Sequence, residues 1–249
     1  MDQLLIALDV ERAGKALELA DSLRGIAGGF KIGSRLFTSE GPSIVRALVE
    51  KGDRVFLDLK FHDIPNTVAQ AVAAATALGV WMVNVHASGG TRMMQAARDA
   101  ARESAARAGT TPPLVIAVTV LTSMTAETLA EIGCAKGQSE DGSGSVIDRV
   151  VRLAQLAEAA GLDGVVASPL ETTTIREHCG RDFAIVTPGI RAGGAGSTVN
   201  DDQARTMGAG EAIAAGATYI VVGRPIIAAT DPRGAALAIM EEAEKAKNC

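Results

Sequence analysis

Val55-Phe56-Leu57-Asp58-Leu59-Lys60-Phe61-His62-Asp63-Ile64-Pro65-Asn66-Thr67 is the stretch on which the reading of this chain turns. Val55-Phe56-Leu57 is a short apolar run and reads as a buried strand. Alternate residues of a strand point to one face, so Asp58 and Lys60 project together. Asp63 falls where a helix begins. Asp is a favoured N-cap, and Pro65 is tolerated in a first turn, where its missing N–H has no intrahelical partner anyway. Asp63 and Thr67 are four apart and are expected on one helix face. Two carboxylates thus bracket one ammonium just past the end of a strand. A strand-end salt bridge with a helix cap would use the same residues, so the rest of the chain decides between structure and chemistry.

The same strand-then-helix unit recurs on both sides. Apolar runs at 4–8, 28–33, 80–86, 114–120, 162–167, 183–187 and 219–222 read as further strands. Helical spacing follows at 11–25, 41–51, 64–78, 89–108, 125–133, 146–160 and 170–179, and from Gly223-Arg224-Pro225 to about Lys247. A polar loop is expected at 137–144, and a long Gly-rich stretch at 188–207. The nearly unbroken apolar run Trp81 to His86 suits a strand buried on both faces. Eight strands alternating with helices predict one (β/α)8 barrel, a TIM barrel, over residues 1–249. An open doubly wound sheet is the alternative. It is set aside because the first strand carries no G-x-G-x-x-G and because eight strands suit closure.

Composition narrows the function. Hydrophobic residues make up 47% of the chain, enough for a large core, while aromatics at 3% leave the packing to aliphatic side chains. The 27 glycines imply many tight turns between elements. A net charge of −5 argues against coating nucleic acid, which needs clustered Lys and Arg. A small anionic substrate is compatible with it if a few cations are focused in one cleft. Cys134, Cys179 and Cys249 show no C-x-x-C pairing and read as free thiols in a reducing cytoplasm. The N-terminal residues have no basic region before the first strand, so no signal peptide is expected. No apolar run approaches the roughly 20 residues of a membrane helix.

In a barrel of this kind the chemistry lies at the C-terminal ends of the strands. The polar residues there are Asp9, Lys31, Asp58, Lys60, His86, Thr122, Ser168, Thr187 and Gly223-Arg224. Charges in a dry barrel must be paired. Asp9, Lys31, Asp58 and Lys60 form either an ion network that satisfies itself or one poised around a substrate. Their position at the open mouth favours the second. Phosphate sites in this fold commonly use the loops after strands seven and eight, here the Gly-rich segment with Arg191 and the Gly223-Arg224 turn. Gly193, Gly194, Gly196 and Ser197 suit a lid over such a site. His62, His86 and His178 follow no metal-ligand spacing, so no metal is expected, and Cys134 has no His nearby to make it a nucleophile.

The ten-residue string Asp58 to Thr67 resembles the active-site segment of the orotidine 5′-phosphate decarboxylase family. So, in order along the chain, do Ala7-Leu8-Asp9-Val10, Phe30-Lys31-Ile32-Gly33, Val83-Asn84-Val85-His86-Ala87, Val118-Thr119-Val120-Leu121-Thr122-Ser123-Met124, Thr187-Pro188-Gly189-Ile190-Arg191, Asp202-Gln203 and Ala214 to Ile226. D-x-K-x-x-D alone is shared with sugar-phosphate enzymes of the same suprafamily. The combination with I-P-N-T, T-P-G-I-R and V-V-G-R-P-I is more specific.

The resemblance implies decarboxylation of orotidine 5′-monophosphate (OMP) to UMP in pyrimidine biosynthesis, without metal or cofactor. By the same resemblance Lys60 protonates C6 of the pyrimidine and Asp58 faces the substrate carboxylate. Lys31 and Asp63 complete a Lys-Asp-Lys-Asp array, with Asp63 given by the second subunit of a homodimer. Ile64 and Thr67 cross with it, Thr67 reaching the ribose. Asp9 and Lys31 hold ribose hydroxyls, Thr122 meets the pyrimidine edge and Pro188 packs near the base. Gln203, Arg191, Gly223 and Arg224 grip the 5′-phosphate. The loop before Gln203 is longer than the family pattern. Three other readings stay open at this point. One is a Mg2+-dependent sugar-phosphate lyase or decarboxylase, one a Schiff-base aldolase through Lys60, and one a nucleotide-binding scaffold without chemistry.

Overall fold

A computed structural model describes residues 2–133, 146–191 and 206–247. The described strands are β1 Leu4–Ala7, β2 Gly29–Gly33, β3 Val55–Phe61, β4 Met82–His86, β5 Leu114–Val118, β6 Gly164–Val166, β7 Ala184–Thr187, β8 Ile190–Arg191, β9 Met207–Gly208 and β10 Tyr219–Val222. Eight of them close into a parallel barrel in the order β1-β2-β3-β4-β5-β6-β7-β10, and β10 returns to β1 through Leu4↔Ile220, Leu5↔Val221 and Ile6↔Val222. β8 and β9 pair with each other, parallel, outside the barrel. The expected TIM barrel is therefore the observed fold.

The helices are α1 Ala13–Leu23, α2 Ser34–Glu40, α3 Ser43–Glu50, α4 Pro65–Ala77, α5 Gly90–Ala108, α6 Ala126–Glu131, α7 Val146–Ala159, α8 Thr172–His178, α9 Ala209–Ala214, α10 Arg224–Ile227 and α11 Pro232–Lys247. In α1 the buried residues are Ala16, Leu19, Ala20 and Leu23, a stripe at helical spacing laid against the barrel. None of the described helices is long and apolar enough to cross a membrane.

The strands sort their side chains with a period of two. Leu4, Ile6 and Leu8 point outward into the layer between barrel and helices, whereas Leu5 and Ala7 point inward. Inside, Leu5, Phe56, Met82, Ile116, Val186 and Val221 fill the barrel with aliphatic bulk and one aromatic ring. Burying each such Leu or Ile side chain contributes roughly 1.5–3 kcal/mol. At the strands' N-terminal end Trp81 and Tyr219 meet edge to face, 5.2 Å between ring centroids, with the Arg54 guanidinium 5.5 Å from the Trp81 ring. Where β6 meets β7 the approach is close. A Cβ on Gly164 would lie 2.2 Å from the Ala184 carbonyl oxygen, so only glycine fits. The same period carries inward residues to the C-terminal mouth: Asp9 after β1, Lys31 in β2, Asp58 in β3, and Asn84 and His86 in β4.

Four local expectations are corrected. The helix expected over 41–51 is α3, and α2 precedes it. Gly41, at φ 68°, closes α2 by donating its N–H to the Phe37 carbonyl, so this glycine ends one helix rather than opening the next. The single last helix is two, α10 and α11, because Pro232 has no N–H with which to continue a helix and starts a new one. The stretch 188–207, read as Gly-rich loop, contributes β8 and the start of β9 at its described ends. Asp63 is not the N-cap of α4. Ile64 is, with Pro65 at the first helical position, and Asp63 Oδ1 accepts a hydrogen bond from the Ile64 N–H at 2.6 Å. Asp63 therefore lies before the helix that carries Thr67 and shares no helix face with it.

Candidate active site

β1, β2, β3 and β4 are neighbours in the barrel, and their inward polar residues gather on one side of the mouth. Lys31 Nζ lies 3.2 Å from Asp9 Oδ1 and 3.3 Å from Asp58 Oδ2. Lys60 Nζ lies 2.6 Å from Asp58 Oδ1. Charge alternates along this line: Asp9, Lys31, Asp58, Lys60. Lys31 and Asp58 are buried, while the two ends of the line, Asp9 and Lys60, are open to the mouth, Asp9 more than Lys60. Burial opposes the charged form of Lys31, but Asp58 and Asp9 outweigh it and hold its pKa above the ordinary value. Burial likewise opposes ionisation of Asp58. Lys31, then Lys60, and hydrogen bonds from Lys60 and Asn84 outweigh it, so the carboxyl sits below the usual range. Both groups are charged at neutral pH.

β3 reaches this geometry by leaving the ladder. Its pairing with β4 slips between Leu57 and Phe61, and Lys60 takes φ 52°, the one left-handed non-glycine residue among those described. Simple alternation along a strand predicts Asp58 and Lys60 on one face. They are together, but through a bulge.

The array opens into a cavity of about 320 Å3. Asp9, Lys31, Asp58 and Lys60 form one side; Val118, Val166 and Val221 supply an apolar wall; Thr122 and Pro188 also line it. Arg191, after β7, and Gly223 and Arg224, after β10, complete the rim on the side of β1 away from β2. Two guanidinium groups thus line the same space, and burial, then the charge of Arg224, lowers the pKa of Arg191. An elongated ligand with an anionic group at one end, an apolar ring in the middle and a second anionic group near Lys60 matches this division.

Of the residues expected in the site, nine thus line one cavity: Asp9, Lys31, Asp58, Lys60, Thr122, Pro188, Arg191, Gly223 and Arg224. Asp63, Ile64 and Thr67 do not line the cavity of their own chain and are exposed, Ile64 at 67%. Gln203, the Gly193–Ser197 segment, Cys134 and Cys249 lie outside the described residues. His62 and His86 come together, with ring centroids 5.4 Å apart. Among the described residues no group of three His, Cys, Asp or Glu side chains is placed to hold a metal. Cys179 is buried and unpaired, its thiol pushed up to about 11 chiefly by burial.

One contributor was missed. Asn84 is fully buried in β4; its Nδ2 donates to Asp58 Oδ1 at 2.7 Å and its Oδ1 accepts from the Lys60 N–H at 2.8 Å. Its signal in the sequence was an amide inside the otherwise apolar run 81–85.

Closed barrel, alternating carboxylates and ammoniums inside its mouth, and two guanidiniums on the rim of the same cavity define a (β/α)8-barrel enzyme for a phosphorylated ligand. Comparison with known proteins narrows the class. Residues 2–239 match the model of the "Orotidine 5'-phosphate decarboxylase / HUMPS family", and the chain belongs to that family. A protein of Syntrophotalea carbinolica named orotidine 5′-phosphate decarboxylase is 54% identical over 96% of this chain and 94% of its own length. One of the same name from Moorella thermoacetica is 51% identical, over 99% of this chain and 94% of its own. A crystal structure of orotidine 5′-phosphate decarboxylase from Lactobacillus acidophilus superposes with a TM-score of 0.82 at 34% identity, covering 97% of this chain and 98% of that one.

Proposed function

We propose that this protein decarboxylates OMP to UMP as a step of pyrimidine biosynthesis, using only its own side chains. The observation that carries the reading is the unbroken Asp9-Lys31-Asp58-Lys60 line within one cavity that Arg191 and Arg224 also line. Relatives matched over 94% of their own length and about half identical in sequence bear the corresponding name.

The phosphate lies against Arg191, Gly223 and Arg224, with Gln203 as a further contact implied by resemblance. The ribose hydroxyls lie against Asp9 and Lys31, and the pyrimidine lies between the valine wall, Thr122 and Pro188. The substrate carboxylate then stands beside Asp58. At 4 Å and an effective dielectric of about 20, two such charges repel by about 4 kcal/mol. As the C6–carboxylate bond breaks, its electron pair stays on C6 and neutral CO2 departs. Repulsion with Asp58 fades while attraction between C6 and the Lys60 ammonium grows, so the transition state gains more than the bound substrate. Lys60 gives one proton to C6, forming UMP, and regains one from water. Barriers lowered by enzymes span roughly 8–23 kcal/mol, and a carbanion without an electron sink needs the upper part of that range. Remote binding of the phosphate adds to what the array supplies.

Asp63, Ile64 and Thr67 act across a homodimer interface in this reading. Their exposure on the described chain, Ile64 at 67%, supports a partner surface beside the mouth. Asp63 would then extend the charge alternation beyond Lys60. The protein works in the cytoplasm, a location with which its unpaired Cys179 is consistent.

The test is direct. Purified protein is mixed with OMP in EDTA, and CO2 release and UMP formation are followed. Stoichiometric CO2 and UMP are expected with and without chelator. No CO2 from OMP, with Mg2+-dependent turnover of a sugar phosphate instead, would return the protein to the sugar-phosphate reading.

A further inference from the structure

The structure assigns Asn84 a positioning role: it holds Asp58 aimed into the cavity and Lys60 in its left-handed turn. Asn84 stands in β4 with no exposed surface, inward-facing like Met82 before it. Both halves of its amide are used, Nδ2 toward Asp58 Oδ1 at 2.7 Å and Oδ1 toward the Lys60 N–H at 2.8 Å. A flipped amide would set oxygen against carboxylate and NH2 against N–H, so the orientation follows from the partners.

The reason lies in β3. A non-glycine residue is disfavoured in the left-handed region, where its Cβ crowds the following carbonyl oxygen. Lys60 adopts it where the β3–β4 register slips, and the Asn84 side chain takes the place of a ladder carbonyl for the Lys60 N–H. The other contact matters for charge. Asp58 Oδ1 receives Lys60 Nζ and Asn84 Nδ2, while Oδ2 faces Lys31. A carboxylate held only by flexible lysines can swing away from an arriving negative charge. One tied to a buried amide on a barrel strand cannot, so the repulsion is retained at the reacting centre. This inference rests on the proposed decarboxylation.

Two variants test it, each assayed beside the native protein for kcat, KM and UMP affinity. In N84D the new carboxyl keeps the shape of the amide. Protonated, it can still donate to Asp58 and accept from the Lys60 N–H. Ionised, it opposes Asp58. Two carboxylates this close share a proton, which raises the pKa of the new group. The expected N84D profile approaches native kcat at acid pH and falls as pH rises, at lower pH than any fall in the native profile. N84L fills the space without hydrogen bonds. It should lose about 10²-fold or more in kcat, the usual effect of removing one preorganised donor, while UMP affinity stays within about threefold. A folded N84L with kcat within about threefold of native, or an N84D profile that superposes on the native one, overturns the role. If N84L does not fold, the shape-matched N84D decides alone. A native protein that does not turn over OMP overturns the function itself, and this role with it.

Discussion

The Lys60 ammonium rests 2.6 Å from Asp58 Oδ1, although the backbone leaves the strand path at Lys60. Its side chain is about a third exposed, so truncating it removes charge from the mouth without opening the core. Lys60→Ala should retain the native unfolding midpoint and lose at least 10²-fold in kcat, the lower range for losing a general acid. Single-turnover assays on the folded variant check this. A loss below about tenfold would remove Lys60 from the proton-transfer step.

Arg191 and Arg224 line one cavity, and burial, then the charge of Arg224, holds the Arg191 guanidinium below its ordinary pKa. Arg224→Ala should weaken UMP binding by about 10–100-fold, the range for a charge-assisted hydrogen bond of roughly 1.5–3 kcal/mol. Uridine, which has no phosphate, should bind both proteins alike. Calorimetry with the two ligands makes the comparison. An unchanged UMP-to-uridine ratio would put the phosphate elsewhere.

His86 should contribute to the loss of stability on mild acidification. Burial, then the neighbouring His62 and Lys60, lower its pKa against the opposing pull of Asp58. The unfolded chain therefore takes up this proton first on acidification. Stability from the neutral ring is complete above the unfolded value of about 6.5 and is lost as pH falls from there toward the folded value. The slope for this single proton cannot exceed about 1.4 kcal/mol per pH unit. Asp58, with its lowered pKa, adds its own loss only at more acid pH. Urea midpoints measured from about pH 7.5 to about pH 5 should fall in the native protein and fall less steeply in His86→Asn. Equal slopes would discharge His86 from this effect.

Subunit mixing addresses Asp63. If it serves the partner's site, a Lys60→Ala dimer and an Asp63→Ala dimer are each nearly inactive. A heterodimer of the two then contains one intact site. Equal mixing with subunit exchange should restore about a quarter of native activity, since half the dimers are mixed and each has one good site of two. No recovery despite proven exchange would mean that Asp63 acts within its own chain.

The barrel was legible because alternation along each strand, and helical spacing between strands, are local signals. Once those phases are known, Asp9, Lys31, Asp58 and the Gly223-Arg224 turn fall at one end of one barrel without further information. Lys60 was found for a reason that proved incomplete, since its left-handed backbone depends on the slip against β4 and no propensity announces it. Asn84 was overlooked because its meaning lies across two strands, 26 residues from Asp58. The α2 helix was lost to a glycine that could open or close a helix, and Asp63 was read as a cap because an Asp two residues before a proline suits one. In each case a tertiary or capping contact decided what composition left balanced.

The lone tryptophan and the lone tyrosine share the closed floor of the barrel, edge to face beneath the aliphatic filling and at the opposite pole from Lys60. Their emission should therefore be silent when a nucleotide enters and should change abruptly when the staves of the barrel come apart. The molecule carries an optical gauge of its own integrity, separated from its chemistry by the full depth of the strands.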